Sequence, residues 1–79
     1  MRTVVAYETQ ARRLLKRHLE TTTQAAFARR VGVGQQMVSD WAAGKSRPEA
    51  LLRLVIERVA GIDPTLWLLA EERRRIDAA

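Results

Sequence analysis

Between residues 4 and 19 the apolar side chains fall at Val4, Tyr7, Ala11, Leu14, Leu15 and Leu19. Steps of three and four put them on one face of a helix, with Thr3 placed as its N-cap. Arg12, Arg13, Lys16 and Arg17 crowd the remaining surface. The run Thr21-Thr22-Thr23 then interrupts, because β-branched hydroxyl residues favour a turn or cap over a helix interior. A second helix is predicted over 24–31, capped by Thr23 and ended by Gly32 as a left-handed residue. A third follows over 35–43, between Gly34 and Gly44. Lys45-Ser46-Arg47 is a polar connector. Pro48 suits the first turn of a fourth helix, where its missing N–H is not needed, and Glu49 suits the helix dipole. That helix ends at Ala60, before Gly61. Asp63-Pro64, an N-cap followed by proline, opens a fifth that continues to about Arg75. The pattern predicts five helices in a single domain over 1–79, with no repeat and no linker.

Composition narrows the picture. A chain of 79 residues buries only about 60–65% of the surface its unfolded form exposes, so its core is small, and most enzymes are excluded. With no Cys and one His, neither disulfides nor a metal site supplements that core. Apolar residues at 47% against 29% charged mark a globular chain rather than a disordered one. No apolar run approaches the ~18–20 residues of a membrane span, and the N-terminus lacks a signal-peptide core. The expectation is a soluble, cytoplasmic, all-α protein. Its net charge is +5; residues 1–30 carry +5, residues 31–60 carry +1 and residues 61–79 carry −1. A basic surplus in a small domain points to polyanions, either nucleic acid or an anionic membrane surface.

Residues 24–43 hold the most informative constellation. Two short helices crossing steeply through a tight turn need apolar inner faces, and Phe27, Val31, Val33, Val38 and Trp41 supply them. They need a small residue at their closest approach, which Ala28 provides, and a glycine where the turn demands positive φ, which Gly32 provides. All seven positions are filled as a helix-turn-helix requires.

The segment TQAAFARRVGVGQQMVSDWAAGKSRP, residues 23–48, resembles the helix-turn-helix of phage repressor and Cro proteins, the xenobiotic-response-element-like family. The resemblance extends through PEALLRLVIERVAGI and covers residues 10–69. Its most specific parts are Gln24, the Gly32-Val33 turn, Val38-Ser39-x-Trp41, and Gly44-Lys45 ahead of Pro48. It implies a five-helix lambda-repressor-like DNA-binding domain whose helix-turn-helix is formed by helices 2 and 3. Gly34 stands where the family usually has Ser or Thr as N-cap of the recognition helix. Glycine caps only a few tenths of a kcal/mol less well, but it brings no hydroxyl for a phosphate.

Carried onto this chain, the resemblance places Gln35 and Gln36 at the tip of a helix lying in the major groove, where their amides read base edges. Ser39 and Asp40 continue that face. Asp40 would accept from cytosine N4, or repel phosphates in a wrong register. Gln24 corresponds to a phosphate-contacting glutamine at a helix N-terminus, and Lys45, Ser46 and Arg47 to backbone clamps. Other chemistries fail. Gly44-Lys45-Ser46 lacks the P-loop's earlier glycine, since position 39 is Ser39. Glu71 and Glu72 point about 100° apart on a helix. His18 has no catalytic neighbours. Arg73-Arg74-Arg75 suits a helix C-terminus. No enzyme activity, metal or cofactor is expected.

Helix 4 carries Leu51, Leu52, Leu54, Val55, Ile56 and Val59, a wide stripe. A continuous helix 5 would also put Leu66 and Leu68 on opposite faces. That excess predicts a homodimer through Leu66, Trp67 and Leu68, consistent with the family's habit of C-terminal dimerisation. The expected function is a Cro-like repressor binding a double-stranded DNA operator. Its rivals are an antitoxin of the same fold with a toxin partner, and an interaction module without DNA binding. A membrane-surface role is weakest, because helix 1 lacks an opposed face of exposed large aromatics.

Overall fold

The computed structural model describes residues 5–79, and all its regular structure there is helical. The order is α1 (Gln10–His18), α2 (Gln24–Val31), α3 (Gln35–Ala43), α4 (Ala50–Ala60), a 3₁₀ turn (Pro64–Trp67) and α5 (Ala70–Asp77).

The first helix starts later than its apolar rhythm suggests. Thr3 and Val4 lie outside the described residues, and α1 begins at Gln10, capped by Thr9, whose Oγ1 accepts from Arg12 N at 3.1 Å. The preceding segment bonds elsewhere: Tyr7 N donates to Gly44 O at 2.9 Å, across to the end of α3. An amide committed to a distant carbonyl cannot join its own helix, so the segment stays non-helical. The next two helices match expectation residue for residue. Thr23 Oγ1 accepts from Ala26 N at 3.0 Å to cap α2. Gly32 at φ +89° turns the chain, and the amides of Gly32 and Val33 both close onto Ala28 O.

Pro48 departs from its predicted place. It lies ahead of α4, whose N-cap is Glu49, and it is fully buried. The Pro48 carbonyl accepts from Arg53 Nε at 2.7 Å, which fastens the connector to α4. The predicted fifth helix is two pieces. Asp63 Oδ1 accepts from Thr65 N and Thr65 Oγ1, winding a tight 3₁₀ turn. Leu68 is extended (φ −76°, ψ 142°), and α5 restarts beyond it. Glu72 Oε1 accepts from Leu69 N at 2.7 Å, giving the restart its own local stop.

The core gathers Ala11 and Leu15 from α1, Phe27, Ala28 and Val31 from α2, Val38 and Trp41 from α3, and Ile56, Ile62 and Trp67 from the C-terminal half. Its aromatics carry it, each able to remove ~150–250 Å² from water. His18 stacks edge-on to Phe27 at 5.5 Å, joining α1 to α2. Trp67 Nε1 is buried without an acceptor among the described residues. That offsets its burial by about 1–3 kcal/mol.

Candidate nucleic-acid interface

Helix α3 is amphipathic with a short period. Val38 and Trp41 face the core, while Gln35, Gln36 and Met37 are exposed and Ser39 and Asp40 half-buried. The 3.6-residue repeat therefore sets the glutamines and Ser39-Asp40 on the side turned away from Trp41. Gln36 Nε2 donates to Asp40 Oδ1 at 3.0 Å, one turn along. Gly34 provides no side-chain cap for α3, and no atom crowds the space where its Cβ would stand. Met37 N donates to Gly34 O at 3.2 Å, while the amides of Gln35 and Gln36 have no side-chain cap and lie at the positive end of the helix dipole.

The far end of α3 is held from several directions. Gly44 is buried at φ +74°. A Cβ there would collide with Val5 Cγ1 and press on Arg12 Nε. Arg12 Nε donates to Ala42 O at 2.9 Å, and Arg12 Nη1 to Glu8 Oε2 at 2.7 Å. Arg12 is thus withdrawn from the solvated basic face assigned to it, its side chain only 13% exposed. Lys45 N closes onto Asp40 O at 2.9 Å, leaving the Lys45 side chain exposed just past the helix.

A family model described as helix-turn-helix matches residues 12–67. The chain belongs to the helix-turn-helix family, of the Cro/C1 type. No curated protein and no solved structure matches it significantly. Membership makes this helix-turn-helix protein a DNA-binding transcription regulator, with α2 and α3 as the motif and α3 in the position of the recognition helix. Among the described residues, no helix is long and apolar enough to cross a membrane, and no group of three His, Cys, Asp or Glu gathers to hold a metal ion.

The other expected contacts divide. Gln24 is half-buried at the start of α2, Ser46 is half-buried, and Lys45 is exposed with no ion pair among the described residues. Arg47 is different. Its guanidinium lies 4.5 Å from the centroid of the Tyr7 ring and donates to Trp67 O at 3.1 Å. It also grips both Glu72 oxygens, at 2.5 and 3.3 Å. The backbone-clamp expectation for Arg47 therefore gives way to a structural role: it ties the loop after α3 to α5. Sequence reasoning missed this node and the Arg12 anchor because both partners lie 25 to 30 residues away. Exposed Arg29 and Arg30, at the end of α2, were likewise not singled out.

The Arg47 hydrogen bond, and then that from Leu69 N, hold the Glu72 carboxyl below the ordinary glutamate range. A carboxylate with a depressed folded pKa contributes stability that is present above its unfolded pKa, about 4.3, and is lost as pH falls through the folded value. Protection factors at Leu69 and Arg73, corrected for the slower intrinsic exchange in acid, should accordingly fall below that point, before those of the α2–α3 amides. Simultaneous loss of protection everywhere would show that α5 is not separately fastened.

The C-terminal surface also needs correction. Trp67 is 1% exposed and belongs to the core of the single chain, so it offers nothing to a partner. The break at Leu68 removes the conflict between Leu66 and Leu68, each of which is half-buried. Exposed apolar surface lies instead at Leu51, Leu54 and Ile76. Leu68 joins two shallow grooves, one shared with Leu54 and Pro64 and the other with Arg75 and Ile76.

Proposed function

We propose that the protein is a small repressor that binds a specific duplex operator as a homodimer and has no enzymatic activity. The observation that carries the reading is the tip of α3: Gln35 and Gln36 exposed at a helix start without a side-chain cap, with Lys45 exposed at the other end. Donors and acceptors at the tip suit base edges, and cations around it suit phosphates. Dimerisation is supported by the apolar surface of Leu54, Leu68 and Ile76. The charge order of α5 adds to this, since exposed Glu71 precedes exposed Arg74 and Arg75. Two antiparallel copies would set acidic turns against basic ones.

Selection of bound sites from a random duplex pool tests the reading. The expected winner is an inverted repeat with half-site centres about 10 bp apart or a multiple of that. No enrichment would overturn sequence-specific binding, and a single half-site would overturn the dimer. A stoichiometric protein co-purifying and blocking enrichment would move the function to an antitoxin.

On the selected site, Gln35→Ala or Gln36→Ala should cost about 1–3 kcal/mol and flatten preference at one base pair, while scarcely changing binding to random duplex. Lys45→Ala should weaken binding to every sequence and lower the salt slope by about one for each copy bound. Arg47→Ala should leave that slope unchanged and lower the melting temperature instead. Equal losses on preferred and random DNA for both glutamine variants would place base readout elsewhere, with Ser39 and Asp40 next.

A further inference from the structure

A glutamine amide has nearly the same shape with its oxygen and nitrogen exchanged, so a free one presents either pattern to a base. Gln36 is not free. Its Nε2 donates to Asp40 Oδ1 at 3.0 Å. An ionised carboxylate only accepts, so this contact fixes the nitrogen on the Asp40 side and the carbonyl oxygen away from it. One amide hydrogen is committed to Asp40. What remains is a single N–H and a single C=O, one donor and one acceptor.

We infer that Asp40 is a specificity-determining positioning residue, which locks the Gln36 amide into the form that matches adenine and rejects guanine. The inference rests on the proposed reading of bases by α3. Adenine offers an acceptor at N7 and a donor at N6, complementary to the remaining N–H and C=O. Guanine offers two acceptors, N7 and O6. Against a locked amide, O6 meets either the Gln36 oxygen or nothing. An unlocked glutamine escapes by offering both amide hydrogens to the two acceptors, so discrimination would fall. The lock is inexpensive to build, because residues four apart on a helix are natural neighbours. It is also separable from the fold: only the Asp40 side chain takes part, while its backbone carbonyl independently accepts from Lys45 N.

The test compares site-selection profiles of the wild type, Gln36→Ala, Asp40→Asn and Asp40→Glu on one random duplex pool, with helicity and the salt slope measured for each. Gln36→Ala identifies the position that Gln36 reads. There the wild type should prefer adenine over guanine by about tenfold or more. Asp40→Asn is nearly isosteric but can present its own N–H₂ to Gln36; it should reduce that preference to within about threefold, leaving other positions and the salt slope unchanged. Asp40→Glu keeps an acceptor one turn along and should retain most of the preference. Undiminished adenine preference in Asp40→Asn overturns the inference. So does a change confined to a different base pair, which would make Asp40 a direct reader. A wild type that selects no sequence while binding duplex overturns the base-reading function itself, a result distinct from either of these.

Discussion

Trp41→Ala is expected to leave no stably folded domain. Trp41 is 2% exposed and is the largest side chain α3 contributes to the core. Truncating a buried tryptophan to alanine costs about 3–5 kcal/mol, through lost burial and the cavity left behind. A single core in a chain of this size rarely supplies more than about 3–5 kcal/mol in total, so the loss consumes the whole margin. Circular dichroism should show little cooperative melting, and Trp67, the tryptophan that remains, should fluoresce as a solvent-exposed ring. A variant melting within a few degrees of the wild type would mean that α3 is not anchored through Trp41. Substitution of exposed Gln35 should by contrast change stability by no more than about 0.5 kcal/mol.

DNA binding should collapse over a modest rise in salt. A dimer that neutralises about six to eight phosphates has a slope of roughly −5 to −7 in log K against log salt. From 50 to 200 mM monovalent salt this is a loss of about 10³–10⁴ in affinity. Arg12 and Arg47 are tied up within the fold, so the cations available for phosphates include Lys45, Arg29 and Arg30, assisted by the amino ends of α2 and α3. Titrations across this salt range measure the slope directly. A value near zero would remove the DNA-binding interpretation.

The motif was legible because its determinants are local. Thr23, Gly32, Gly34 and Gly44 each act within a few residues, and they bound α2 and α3 where the apolar pattern puts them. The start of α1 was not legible, because the segment at Tyr7 is drawn away by Gly44 O on a different helix. Nor was the break at Leu68, since the sequence 64–75 keeps a helix-compatible composition and the interruption depends on two competing caps, Asp63 and Glu72. The charged residues were hardest. Arg12 and Arg47 read identically to Lys45 and Arg29 until tertiary structure supplies Ala42 O, Tyr7 and Glu72 as partners. Gln35, Gln36, Ser39 and Asp40 were legible as a face, but the Gln36–Asp40 bond within that face emerged only from side-chain placement.

Helix α3 is gripped at one end and open at the other. The grip at Ala42 and Gly44 comes from Tyr7 and Arg12, none of which lies at the tip. Positions 35, 36 and 39 can therefore drift through successive substitutions while the frame that aims them stays intact. In an evolving lineage this separates inventing a new operator from surviving the mutation that invents it. For an engineer, the same asymmetry makes the tip a replaceable cartridge, retargeted by exchanging a few surface residues on an unchanged scaffold.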